Sequence, residues 1–275
     1  MKIKRSQRMV DLTHTLLTHP HQSFSLPYFV EKYAVAKSSL SEDLTIMNDQ
    51  LRLSGIGRVE TTAGASGGLR FIPEIPREQA EAAIQELCLK LTDNDRILPG
   101  GYFYLTDVLS DPHWLRELGA IIASVYQNAE ATAIMTIATK GIALASAAAA
   151  YLNVPFVTVQ RDTDLAEGST VSVNYVSGHS PNETVQKMAL TKNSLPKGAR
   201  VLIVDDFMNS GGTFNGMLDL IREFEGTCVG GVVFGELTDD KEEITFPYDS
   251  IVTIEKEANN HAVKEVRPGT IFTQE

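Results

Sequence analysis

VLIVDDFMNSGGT, residues 201–213, compresses a strand, two acids, a tight turn and the start of a helix into one short segment. The apolar run VLIV predicts a buried strand, and Asp205 and Asp206 follow at its C-terminal end, where open α/β sheets put their ligands. Adjacent strand residues point different ways. Two such carboxylates suit the cis hydroxyls of a ribose, because each accepts O–H donors and can also orient hydrated Mg2+. Phe207, Met208, Asn209, Ser210, Gly211, Gly212 and Thr213 then turn into a helix whose apolar face is Met217, Leu220, Ile221 and Phe224. Free amides and the positive dipole end at that helix start form a phosphate cradle, with the Ser210 and Thr213 hydroxyls as further donors. A purely structural turn is the alternative; strand, diacid, double glycine, threonine and helix in succession argue against it.

Upstream, a second strand runs into a helix at Ala138, Thr139, Lys140 and Gly141, and the amides of 139–141 are placed to hold a diphosphate. An ordinary strand-to-helix turn is the bland reading. Two phosphate-ready turns on one sheet point to a ligand with phosphate at both ends of a ribose. Around them ATAIMTIA, PFVTV, ARVLIVD and CVGGVVFGEL alternate with the helical GIALASAAAAYL and GTFNGMLDLIREF, the pattern of a parallel α/β sheet. STVSVNYVS and ETVQKMAL flank the polar loop GHSPN, an antiparallel excursion readable as a flap or an edge hairpin.

The first 73 residues have another character. Met9, Leu12 and Leu16 recur at helical spacing, YFVEKYAV after Pro27 predicts a short second helix, and Ser39 to Glu42 reads as a capping box opening a third, with Lys37 in the turn before it. Leu40, Leu44, Met47 and Leu51 are its buried stripe, which leaves Lys37, Ser38, Ser41, Thr45 and Asn48 outside. RVETT and LRFI flank AGASGG, a hairpin with Arg58 and Arg70 expected beside its tip. Three helices and a two-stranded wing make a winged helix-turn-helix, its third helix sized for the major groove. Lys4, Arg5, Arg8, Arg58 and Arg70 are the expected phosphate contacts. A helical protein-interaction domain with a solvated charged face is the alternative. Residues 77–92 read as an amphipathic helix, with Ala83, Leu87 and Leu91 on one side.

Composition permits this division. The chain has 275 residues, 43% apolar and 21% charged, with two cysteines far apart and no CxxC, as suits a reduced compartment. The net charge of −11 argues against a polyanionic partner until it is mapped: residues 1–73 hold nine Lys/Arg against six Asp/Glu, so the first part is +3 and the remainder −14. No apolar run is long enough to span a bilayer, no secretory signal is evident, and His19 and His21 lack the partners of a metal site.

The motif at 201–213 resembles the ribose-phosphate signature of type I phosphoribosyltransferases, which bind 5-phosphoribosyl 1-pyrophosphate (PRPP). Nearly the whole chain, including KRSQRMVDLT, AKSSLSEDLTIM, ILPGGYFYLTD and EGSTVSVNYVSG, is similar to the purine operon regulators of Gram-positive bacteria. The resemblance implies an α/β fold class: a winged helix over 1–73, then a type I phosphoribosyltransferase-like domain with a central parallel sheet over 74–275, residues 74–100 being linker or dimer helix. It implies a cytoplasmic homodimer on double-stranded operator DNA, repressing purine genes without catalysis, with PRPP and Mg2+ as effector and no prosthetic group. It puts Asp205, Asp206 and Met208 to Thr213 on the ribose-5-phosphate, Thr139 to Gly141 on the diphosphate, and Tyr102 beside the nucleotide pocket. Ala138 stands where related xanthine enzymes have an acid, Lys140 is unusual in that company, and Asn209 replaces a frequent basic residue. A pocket taking a 5-phosphate and a diphosphate together also fits the two diphosphates of guanosine tetraphosphate. An active purine phosphoribosyltransferase and a transcriptional activator are the competing expectations.

Overall fold

A computed structural model describes residues 3–62, 68–92, 96–98, 103–161, 168–177, 184–208, 211–237, 246–257 and 263–273. The chain forms two compact units that divide near residue 79.

The first unit runs α1 (Arg5–Leu17), α2 (Leu26–Tyr33), α3 (Lys37–Leu53), β1 (Gly57–Thr61) and β2 (Leu69–Pro73), the strands pairing antiparallel. Leu12, Leu16, Phe29, Leu40, Leu44, Met47, Leu51, Leu69 and Phe71 form one core, so the wing's inner face is part of the helical packing. Pro27 sits in the first turn of α2, where its missing N–H costs nothing, and the Ser25 hydroxyl accepts the Tyr28 amide at 3.3 Å.

Three local expectations are corrected. The helix α3 begins at Lys37 after Ala36, without a side-chain cap, so Ser39 to Glu42 lie inside the first turns and form no capping box. On α1 the buried stripe is Arg8, Leu12 and Leu16, with Met9 only half-buried. The strand register sets Arg70 opposite Glu60 and Arg58 opposite Ile72, so Arg58 lies toward the base of the hairpin; residues 63–67 of AGASGG lie outside the described residues.

The second unit is built on a six-stranded sheet of order β10-β9-β8-β7-β3-β4. Its strands are β3 (Ala133–Ile137), β4 (Phe156–Val159), β7 (Arg200–Met208), β8 (Thr227–Leu237), β9 (Asp249–Lys256) and β10 (Val263–Pro268). All neighbours are parallel except β10, which runs antiparallel to β9, so the sheet is mixed rather than wholly parallel. Val201, Leu202, Ile203 and Val204 are fully buried because β7 has strands on both sides and helices over it. The helices are α4 (Arg77–Leu91), α5 (Thr106–Leu109), α6 (Pro112–Tyr126), α7 (Gly141–Leu152) and α8 (Gly212–Glu223). The buried side of α4 is Ala80, Ile84, Leu87, Cys88 and Leu91, one step round from the expected face, and Ala83 is only half-buried.

The antiparallel excursion, β5 (Thr170–Ser177) with β6 (Thr184–Thr191), is a separate two-stranded sheet; the loop GHSPN lies outside the described residues. It seats on α8, where a methyl group at Gly216 would stand 2.6 Å from Met188 Cε and 2.9 Å from Tyr175 Cβ.

Candidate functional site

Strand β7 continues through Met208, so Asp205, Asp206 and Phe207 are strand residues with alternating directions. Asp205 is 5% exposed and Asp206 half-buried. One strand over, β3 ends at Ile137 and the turn Ala138-Thr139-Lys140, with a cis Ala138–Thr139 peptide, leads into α7 at Gly141. The two motifs meet there. A methyl group at Gly141 would stand 2.5 Å from Asp205 Oδ1 and 2.3 Å from Thr136 Oγ1, so only glycine lets the turn lie against the acids.

Asp205 Oδ1 and Thr136 Oγ1 are buried without a hydrogen-bond partner among the described residues. Buried polar atoms are nearly always paired, so two orphans beside one turn mark a place where hydroxyl donors belong. Burial and then the Asp206 charge push the Asp205 carboxyl well above its ordinary range. Burial also raises Asp206, opposed by its link to Asp205 and by the positive charges of Lys140 and Arg161. Arg161 is a residue the sequence reading missed. It is exposed and stands just past the C-terminal end of β4, the edge of the sheet where ligands are expected, and that position was the available signal.

At the other end of the site, Gly211 precedes α8 with φ of 93°, a conformation that suits glycine, and supplies no side-chain cap. The first amides of α8, beginning at Gly212 and Thr213, thus have no side-chain cap from Gly211. Ser210, an expected donor in this turn, and its neighbour Asn209 lie outside the described residues, as does Tyr102. Its neighbour Phe103, 6% exposed, stacks on Phe207 with centroids 6.4 Å apart and planes at 15°, an aromatic pair on the face of β7 that Asp205 shares. Thr139 and Lys140 are exposed and Ala138 half-buried. Among the described residues no cluster of three His, Cys, Asp or Glu is arranged to hold a metal, and no helix is long and apolar enough to cross a membrane.

In the first unit the expected phosphate contacts separate into different roles. Arg8 is 6% exposed, and its guanidinium grips the fully buried Asp43 at 2.6 Å through Nε and 2.5 Å through Nη2. This corrects its expected placement on the surface: Arg8 is buried and fastens α1 to α3. Arg5 donates to the same carboxylate at 2.7 Å while its side chain stays half exposed. Asn48 accepts the Val59 amide at 2.7 Å and so pins the wing to α3 rather than standing free. Lys4, Lys37, Ser38, Ser41 and Thr45 are exposed. The Ser41 and Thr45 hydroxyls donate back to the Lys37 and Ser41 carbonyls, both at 3.0 Å, which leaves their lone pairs outward as acceptors. Arg58 and Arg70 are held by acids of the wing.

Comparison with known proteins agrees with this division. Residues 4–73 match the family described as bacterial purine repressor, N-terminal, and residues 105–268 the phosphoribosyl transferase domain. The chain is 49% identical to the purine biosynthesis transcriptional repressor PurR of Bacillus subtilis, over 92% of this chain and 88% of that one. It is 44% identical to the purine biosynthesis transcriptional activator PurR of Lactococcus lactis, over 98% and 99%. Among solved structures it is similar to an adenine phosphoribosyltransferase from Rhodothermus marinus, with a TM-score of 0.50 and 27% identity over 57% of this chain and 88% of that one.

Proposed function

The chain belongs to the bacterial purine biosynthesis transcriptional regulators, and on that premise we propose that its second unit senses PRPP without turnover and sets the affinity of its winged helix for operator DNA. The observation that carries the sensor reading is the pair of buried oxygens without a partner among the described residues, Asp205 Oδ1 and Thr136 Oγ1, beneath a glycine turn and near a helix start that glycine leaves without a side-chain cap. Ribose hydroxyls donate to the Asp205–Asp206 pair. The first amides of α8 take the 5-phosphate, and the turn 138–141 takes the diphosphate, which brings its own Mg2+. Lys140 and Arg161 supply positive charge beside the acids.

The chain acts as a regulator of purine biosynthesis genes, and we read it as a repressor, in line with the higher identity to the Bacillus subtilis protein. PRPP relieves repression by favouring the DNA-free state, and a coupling of ~1–3 kcal/mol shifts operator occupancy about 5- to 150-fold. Guanosine tetraphosphate competes for the same phosphate positions and restores DNA binding. A homodimer in the cytoplasm presents two wings to a two-fold operator. The test is an operator titration with and without PRPP and Mg2+, repeated on Asp205→Ala/Asp206→Ala. The wild type should weaken on DNA and the double variant should not; identical wild-type curves discard the coupling. An active enzyme is the competing reading, carried by the phosphoribosyl transferase domain match. Nucleotide formation from PRPP and a purine base above ~1 per second favours it.

A further inference from the structure

The outer face of the wing carries Arg58, Glu60 and, directly across the strands from Glu60, Arg70. These charges are closed on one another. Glu60 accepts Arg70 through Nε at 3.1 Å and Nη2 at 2.9 Å, and with its other oxygen accepts Arg58 at 2.9 Å; Arg58 also donates to Glu74 at 2.5 Å. The two arginines differ in commitment. The Arg58 side chain is 21% exposed and tied to two acids, whereas that of Arg70 is 45% exposed and its ion pair among the described residues is with Glu60.

We propose that Glu60 masks a phosphate-binding surface on the wing: duplex DNA displaces it from Arg70, while Arg58 stays clamped as part of the wing's frame. This rests on the reading of the first unit as a DNA-binding domain. The physical ground is a competition. A partly exposed ion pair contributes little, so a backbone phosphate can replace it, and Glu60 left behind repels the phosphate that Arg70 approaches. Glu60 thus weakens binding in two ways, by occupying Arg70 and by adding negative charge where the backbone passes. With Arg8 internal and both wing arginines paired, the first unit offers the duplex fewer open cations than its nine lysines and arginines suggest, and Glu60 becomes the residue that sets wing affinity.

The test compares full-length wild type, Glu60→Gln, Arg70→Gln and the double variant on a generic fluorescent duplex over a salt series, because phosphate contacts do not depend on sequence. Glu60→Gln should bind about 3- to 10-fold tighter. Arg70→Gln should lower the slope of log K against log salt by about 0.9 per wing engaged, and the gain from Glu60→Gln should shrink in the double variant to the part that comes from removing its negative charge. Equal or weaker binding by Glu60→Gln overturns the mask. So does an unchanged slope in Arg70→Gln, a surface change that reports on the exchange whether or not Glu60→Gln alters the hairpin. Wild type without affinity for duplex DNA overturns the mask and the DNA-binding reading together.

Discussion

Gly141 and Asp205 touch across two strands of the sheet: a methyl group on the glycine would stand 2.5 Å from the carboxylate oxygen. The turn and the acids proposed to hold diphosphate and ribose are therefore one piece of machinery. Gly141→Ala should force them apart, at a cost of ~1–3 kcal/mol in stability and most of the calorimetric heat with PRPP and Mg2+. Retained heat and an unchanged melting temperature would show that the turn has room to retreat.

The raised Asp205 carboxyl makes stability depend on pH. The folded chain keeps a proton that the unfolded chain releases above about pH 4, so stability is full below that value and declines as pH rises through the raised folded one. Asp205→Asn removes this liability. Denaturation curves of wild type and variant should converge in acid and diverge toward neutrality, the variant being the more stable. Asp206 is shifted the same way, so some slope remains. Parallel pH profiles would remove burial of Asp205 as the cause, whatever the loss in PRPP binding.

Asp43→Ala strands the buried Arg8 guanidinium. Leaving one partner of a buried pair uncompensated costs ~3–5 kcal/mol, so urea unfolding of the first unit should shift to markedly lower denaturant. Arg8→Met, which keeps the stem and removes the charge, should leave the salt dependence of DNA binding as it was. A flatter salt slope in that variant would return Arg8 to the phosphate contacts.

Asn48→Ala releases the Val59 amide and with it the wing's angle to α3. The expected stability loss is ~1 kcal/mol, with operator affinity falling further than that loss explains because the wing no longer meets the duplex in register with the helix. Equal losses in stability and affinity would reduce Asn48 to an ordinary packing residue.

The strand and turn at 201–213 were legible because an unbroken apolar run, adjacent acids and paired glycines leave few other local solutions. The stripe on α3 was equally plain, yet its start was misplaced: Ser39 to Glu42 carry a capping signature, and the chain instead enters the helix after Ala36. Arg8 was misassigned although the signal was present, since Arg8, Leu12 and Leu16 share one helical face and Asp43 shares the buried face of α3, so the two stripes carry complementary charges. β9 and β10 escaped because DSIVTIEK and VKEVRP mix charges into short apolar runs, and the sheet rather than local preference makes them strands. Arg161 was hidden by its acidic neighbours Asp162 and Asp164 and by belonging to no glycine motif.

Helix α8 begins at the ligand turn and, on its flank at Gly216, has no clearance beneath Tyr175 and Met188. The element that would grip phosphate is thus also the saddle on which the β5–β6 hairpin rides. A sub-ångström tilt of the helix cannot be absorbed where they touch and must be passed on, so an anion drawn to the start of α8 would gain leverage on the hairpin.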